Sequence, residues 1–112
     1  MSSHSAVRAL KGPAPVFAAL GDATRLKLVG RLVDGQPRSI AQLAGGLDLT
    51  RQGVTKHLRV LQRAGIVRAK SVGRESRFTY VPDAVERART YLDAVSAQWD
   101  DALGRLKAFV ES

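Results

Sequence analysis

The stretch TRQGVTKHLRVLQRAG, residues 50–65, holds four cations, Arg51, Lys56, Arg59 and Arg63, and no carboxylate. Guanidinium and ammonium groups gathered without acids are hydrogen-bond donors aimed at an anionic surface, and Gln52 and Thr55 add neutral polar groups among them. The same stretch places Val54, Leu58 and Leu61 at helical spacing, the apolar stripe of an amphipathic helix. With residues set about 100° apart from Val54, Gln52, Lys56, Arg59 and Arg63 fall in one narrow sector opposite Leu58 and Leu61, with Thr55 beside them. Taken alone, such a face is also what a solvated helix presents.

The neighbouring elements must hold that helix in place. Residues 1–15, MSSHSAVRALKGPAP, mix small polar residues with Gly12, Pro13 and Pro15 and read as a flexible N-terminal arm, with a helical turn around Val7 to Leu10. Pro15 suits the first turn of a helix over VFAAL. Asp22 N-caps a second helix, in which Leu26, Leu28, Val29, Leu32 and Val33 supply a wide buried face and Gly35 gives the stop. Ser39 caps a short third helix, IAQLAGGL, with Ile40, Leu43 and Ala44 inward and Gly45-Gly46 ending it. Thr50 then caps the basic helix, so the third and fourth helices form a helix-turn-helix pair. After Gly65 the period changes to two: IVRAKS and SRFTYV read as strands joined across VGRE, with Phe78 and Tyr80 facing away from Arg77 and Thr79. The hairpin carries Arg68, Lys70, Arg74 and Arg77.

From Pro82 the pattern is helical to the end. Val85, Ala88, Leu92, Val95, Trp99, Ala102, Leu106 and Phe109 recur at alternating steps of 3 and 4, a heptad seam. Such a helix spans about 40 Å, more than a small domain needs for its own core, so the seam is expected to pack on a second copy. With 112 residues, surface-to-volume scaling makes a shared core attractive.

Charge separates the chain in the same way. Residues 22–81 carry 12 basic and 4 acidic groups, a net of +8, whereas residues 82–112 carry 4 and 6, a net of −2. The partner of the first segment is therefore expected to be a polyanion. Cysteine is absent, which excludes disulfides, thiolate metal sites and cysteine nucleophiles. VFAAL is too short for a signal-peptide core or a membrane span, so no membrane role and a cytoplasmic location are expected. No Ser/His/Asp set, phosphate-cradling glycine loop or paired carboxylates point to an enzyme, and no cofactor is expected.

An acid-free helix after a tight turn, followed directly by a basic hairpin, fits a helix entering the major groove of double-stranded DNA while the hairpin reaches nearby phosphates. Gln52, Thr55, Lys56 and Arg59 are the candidates for base edges. Arg51, Arg63, Arg74 and Arg77 are the candidates for phosphates. His57, at the edge of the stripe, is open to a packed structural role and to a DNA contact alike.

VFAALGDATRLKLVGRL, LTRQGVTKHLRVLQRAGIV and SVGRESRFTYV resemble the ArsR/SmtB family of winged helix-turn-helix transcriptional repressors, over residues 16–81, with VTKHLRVLQRAGIV the most specific part. The resemblance implies an α+β, mostly α fold in three parts: arm 1–15, winged helix-turn-helix domain 16–81 and C-terminal dimerisation helix 82–112. It implies a homodimer joined by its first and last helices, which assigns Val16, Phe17, Leu20, Val85, Leu92, Val95, Trp99, Leu106 and Phe109 to the interface. It also implies a pseudo-palindromic operator whose repression a signal relieves, the inducer being unspecified, and it matches Thr55 and His57 to the family's hydroxyl-x-His-Leu positions.

Many members of that family sense metals through cysteines of the third helix or Asp, His and Glu clusters on the last. IAQLAGGL has no thiol, residues 82–112 have no histidine, and His4 and His57 do not make a site by themselves. A repressor without a metal site is expected. Asp93, Asp100 and Asp101 read as solvated, and Trp99 as a core or dimer anchor. Two readings of other classes compete: a winged-helix module docking an acidic protein, and a sequence-neutral DNA coat.

Overall fold

The computed structural model describes residues 12–112. His4 and the turn expected around Val7 to Leu10 lie outside them. The order is α1 (Ala14–Leu20), α2 (Ala23–Gly30), β1 (Arg38–Ser39), α3 (Ile40–Ala44), α4 (Arg51–Arg63), β2 (Val67–Val72), β3 (Glu75–Tyr80) and α5 (Pro82–Glu111). No helix among the described residues is long and apolar enough to cross a membrane.

Side-chain caps fix the helix starts. Asp22 Oδ2 accepts the Arg25 backbone N–H at 3.0 Å, and Thr50 Oγ1 accepts that of Gly53 at 3.0 Å. Ser39 and Gln42 form a reciprocal capping box: Ser39 Oγ accepts the Gln42 N–H at 3.2 Å, and Gln42 Oε1 accepts the Ser39 N–H at 2.8 Å. That exchange satisfies Ser39, a buried polar residue that would otherwise destabilise the core.

α2 is shorter than the expected run to Gly35. Its regular ladder stops at Gly30, and the chain continues in tighter turns, with Leu32 N–H donating to Val29 O at 2.9 Å and Gly35 N–H to Leu32 O at 3.0 Å. The buried face is also narrower: Leu28, Val29 and Leu32 are buried, whereas Leu26 and Val33 are exposed. At about 100° per residue those two fall on the flank of the face that Leu28, Val29 and Leu32 define.

The sheet is antiparallel, in the order β1-β3-β2. β1 was not expected: Arg38 pairs with Phe78 and Ser39 with Arg77, adding an edge to the hairpin. The hairpin is tighter than read. Val72 pairs with Glu75, so the loop is only Gly73-Arg74, and Gly73 takes φ +64°, a conformation that glycine adopts without a Cβ penalty.

The core joins Leu28, Leu32, Leu43, Val54, Leu58, Leu61, Ile66 and Phe78 to Val16 and Ala19 of α1 and to Ala84 and Ala88 of α5. The first turns of α5 therefore belong to the winged-helix core. Phe17 and Tyr91 meet at a ring-centroid distance of 6.3 Å, a tilted aromatic pair pinning α1 to α5.

Candidate nucleic-acid interface

α4 is held by its stripe. Val54, Leu58 and Leu61 are fully buried, each contributing about 1.5–3 kcal/mol of burial. Fixing that stripe fixes the opposite sector, where Gln52, Lys56, Arg59 and Arg63 are all exposed. Arg51 is exposed in the first turn. None of these five side chains has a hydrogen-bond or ion-pair partner among the described residues, so their donors are open to an incoming acceptor. Thr55 is half-buried and its hydroxyl already donates to the Arg51 carbonyl at 2.8 Å. What Thr55 still offers outward is an acceptor lone pair and a methyl group.

His57 stands apart from this group. Its side chain is 23% exposed, and Nδ1 lies 3.3 Å from Arg25 Nη1 and 3.9 Å from Asp22 Oδ2. A guanidinium can only donate, so the Arg25 contact needs a lone pair on Nδ1 and the proton on Nε2. Of the two roles that the sequence leaves open for His57, these contacts support the packed one, since Nδ1 is engaged in a polar corner beside the buried stripe. Arg25 is the centre of the corner. Its Nε donates to Ala19 O at 2.6 Å and its Nη2 to Ala18 O at 3.4 Å, so one side chain ties the last carbonyls of α1 to α4. The Arg25 backbone N–H, more than any other group, holds the Asp22 carboxyl below the ordinary carboxylate range. Sequence reasoning missed Arg25; its spacing from Asp22 was a signal for the cap but not for the reach to α1.

The hairpin separates its faces by register. Val67, Ala69, Phe78 and Tyr80 line the inner face, while Arg68, Lys70, Glu75 and Arg77 line the outer one. Arg74 occupies the tip. Lys70 lies directly across from Arg77, a like-charge pair that costs stability, and Glu75 relieves it by accepting from Arg77 Nε at 3.0 Å. Arg77 is therefore partly committed, and Arg68 and Lys70 join Arg74 as wing cations without a side-chain partner among the described residues. The alternation that defined the strands already put Arg68 and Lys70 on the Arg77 face. Arg38, by contrast, is taken by Asp34 in a two-pronged ion pair, with Nη1–Oδ1 and Nη2–Oδ2 both 2.8 Å. That pairing pulls the Asp34 carboxyl down to about 2.

The residues assigned to a dimer interface divide. Val16 is 7% exposed within the single chain and packs in the protomer's own core. Phe17, Leu20 and Val85 are half-buried against that core, and Val95 is half-buried on α5. Leu92, Trp99, Leu106 and Phe109 are exposed, Trp99 by 64% and Phe109 by 79%. Tyr91, Leu103 and Val110, absent from the expected set, are exposed beside them.

A helix-turn-helix whose second helix is buried on one side and basic on the other, followed by a two-stranded wing, defines a winged helix-turn-helix DNA-binding protein. Comparison with known proteins agrees: residues 20–69 match a helix-turn-helix domain model. The HTH-type transcriptional regulator Rv2034 of Mycobacterium tuberculosis is 31% identical over 102 residues, covering 91% of this chain and 92% of that protein. Among solved structures, an ArsR-like transcriptional regulator from Rhodococcus sp. RHA1 superposes with a TM-score of 0.76 at 36% identity, over 87% of this chain and 91% of that one. A second, an ArsR family transcriptional regulator, gives a TM-score of 0.72 at 26% identity, over 78% of this chain and 89% of that one. The chain belongs to the ArsR family of helix-turn-helix transcriptional regulators. These are DNA-binding regulators rather than enzymes.

Proposed function

We propose that this regulator is a cytoplasmic homodimeric repressor that recognises a pseudo-palindromic operator of its own or a neighbouring operon, without a metal signal. The observation that carries the reading is the segregation on α4: a fully buried Val54-Leu58-Leu61 stripe opposite exposed Gln52, Lys56, Arg59 and Arg63. The anchored stripe supports this sector as the one that enters the major groove. Arg59 and Lys56 then suit guanine, Gln52 suits adenine, and Thr55 suits a base donor or the thymine methyl group. Arg51, Arg63 and Arg74, with Arg68, Lys70 and the partly paired Arg77 on the wing, position the protein on phosphates.

In this reading residues 16–81 form the DNA-binding unit and residues 82–112 the dimerisation helix. The exposed apolar stripe of α5 supports pairing with a second copy, because water contact with so many large side chains on one face is costly and burying them stabilises a dimer. A bound dimer covers the operator and so excludes polymerase. The absence of cysteine from the sequence supports a signal other than a thiolate-bound metal.

Binding-site selection with the purified protein, followed by affinity measurement on the selected and a scrambled site over a salt series, tests the reading. Six phosphate-contacting cations per protomer, about twelve per dimer, predict that log affinity falls against log salt with a slope of about −11. The selected site should contain two half-sites about 34–36 Å apart. Transcription from a promoter carrying it should fall on adding protein and be indifferent to a chelator. Equal affinity for both DNAs at every salt concentration refutes sequence-specific repression.

A further inference from the structure

Between α1 and the C-terminal half of α4 lies an open groove of about 350 Å³. Its walls are small and apolar: Pro15, Ala18 and Ala19 from α1, Val60 and Ala64 from α4. Its charged lining residues are Arg25 and Arg63, and among the described residues no carboxylate lines it. The volume is within the range of small-molecule sites, roughly 300–1,000 Å³, which pair apolar walls with a few convergent polar groups.

The two arginines differ in a useful way. Arg25 is fixed by donations to Ala18 O, Ala19 O and His57 Nδ1, and a guanidinium has five N–H groups, so it keeps two N–H bonds without a protein acceptor while being held rigid. Asp22, the carboxylate nearest to this corner, accepts the Arg25 backbone N–H instead and is not part of the groove's lining. Arg63 is exposed and has no hydrogen-bond or ion-pair partner among the described residues. A fixed donor and an uncommitted one beside methyl-lined walls suit one carboxylate carried on a hydrocarbon body. Inorganic phosphate would leave the walls wet, and an amine would meet two like charges. The N-terminal segment of the chain carries Arg8 and Lys11 and is a poor electrostatic match.

We propose that this groove binds a small amphipathic carboxylate, its acid group between Arg25 and Arg63 and its hydrocarbon body against Ala18, Val60 and Ala64. Only the consequence for DNA rests on the function proposed above. Val60 and Ala64 lie on the flank of α4 between the buried stripe and the basic face, and Arg63 belongs to both surfaces. A carboxylate held by Arg63 takes that side chain from the DNA phosphate, so ligand and operator oppose one another, and by linkage each weakens the other by the same factor.

Titration calorimetry of the full chain with octanoate, with octylamine as the charge control, tests the site. Wild type should bind octanoate once per chain and octylamine at least about tenfold more weakly. Arg63→Gln should weaken octanoate about tenfold, the loss of one charge-assisted hydrogen bond. Ala18→Phe, at an exposed position where the larger ring fills the groove, should abolish binding with the thermal melt unchanged. No octanoate binding to wild type, or equal binding to wild type and both variants, overturns the proposal. In the DNA arm, saturating octanoate should weaken operator binding of wild type, and unchanged operator affinity overturns the coupling through Arg63. Groove-dependent octanoate binding by a protein that binds no DNA would leave the site standing and remove the DNA reading instead.

Discussion

Gly53→Ala is a small change with an outcome that the geometry fixes in sign. Gly53 is the third residue of α4, and its φ is not among the positive values. Alanine in helical backbone is favoured over glycine by up to about 1 kcal/mol, chiefly because the unfolded chain loses freedom. The opposing effect is local. A Cβ at position 53 would lie 3.4 Å from Thr50 Oγ1 and 3.8 Å from Leu49 Cβ and Cδ2, ordinary contact distances. Thr50 Oγ1 is the cap acceptor for the Gly53 N–H, and losing that cap would cost about 1 kcal/mol. At 3.4 Å the hydroxyl keeps its place, so the net effect should be a stabilisation of about 0.5 kcal/mol. In a chain of this size that raises the melting temperature by about 2 °C. The assay is urea unfolding of both proteins at equal concentration, since any dimer makes the midpoint concentration-dependent. A higher midpoint with an unchanged slope is expected, and a lower midpoint would refute the contact reasoning. DNA affinity should stay within about twofold, because the new methyl faces Leu49 and Thr50 rather than the Lys56-Arg59 sector; at 1.4 kcal/mol per tenfold, a tenfold loss would mean that the backbone at Gly53 approaches a phosphate.

Other perturbations divide along the same physical lines. Arg59→Ala should reduce discrimination between operator and mutant sites by about 1–3 kcal/mol at one position, whereas Arg74→Ala at the wing tip should weaken all DNA alike and lower the salt slope by about 1 per protomer, both read from anisotropy titrations. Trp99→Glu, at a side chain that is 64% exposed, should leave the protomer folded by circular dichroism but monomeric in sedimentation, and an unchanged mass would remove α5 from the interface. Asp34 titrates in the fold at about 2, below its ordinary 3.8, because Arg38 and the Gln36 N–H favour its charged form. A depressed carboxyl stabilises the fold above its unfolded value and loses that contribution as pH falls from about 4 towards 2. Asp34→Asn should therefore lower the urea midpoint at neutral pH and match wild type near pH 2; a constant gap across that window would exclude the ion pair as the cause.

What the sequence made legible was whatever repeats with a period. Val54, Leu58 and Leu61 announced the buried side of α4, and the period-2 run around Phe78 announced the inner face of the wing. β1 has no period, since Arg38 and Ser39 become a strand only by pairing with Phe78 and Arg77 far along the chain. Leu26 and Val33 showed the converse error, because apolar identity placed them inside while their angular positions put them on the flank of the face that Leu28, Val29 and Leu32 bury. His57 could not be settled by position on the wheel. Its surroundings depend on Arg25, which comes from another helix and is aimed by the carbonyls of a third.

α5 shows why a regular seam does not by itself locate an interface. The heptad runs without a break from Val85, yet Ala84 and Ala88 are buried in the winged-helix core while the large side chains from Leu92 onward are exposed. Residue size marks the change: small alanines let α5 approach its own domain closely, and Leu92, Trp99, Leu106 and Phe109 stand exposed where those contacts end. Tyr91, Leu103 and Val110 then widen the exposed stripe to about 120°, more than the narrow seam of a two-stranded coil covers. A face of that width needs two neighbouring helices to be dried. The half-buried Phe17 and Leu20 place α1 beside the start of the stripe, so in the homodimer proposed above the width favours a second copy that offers both its α5 and its α1.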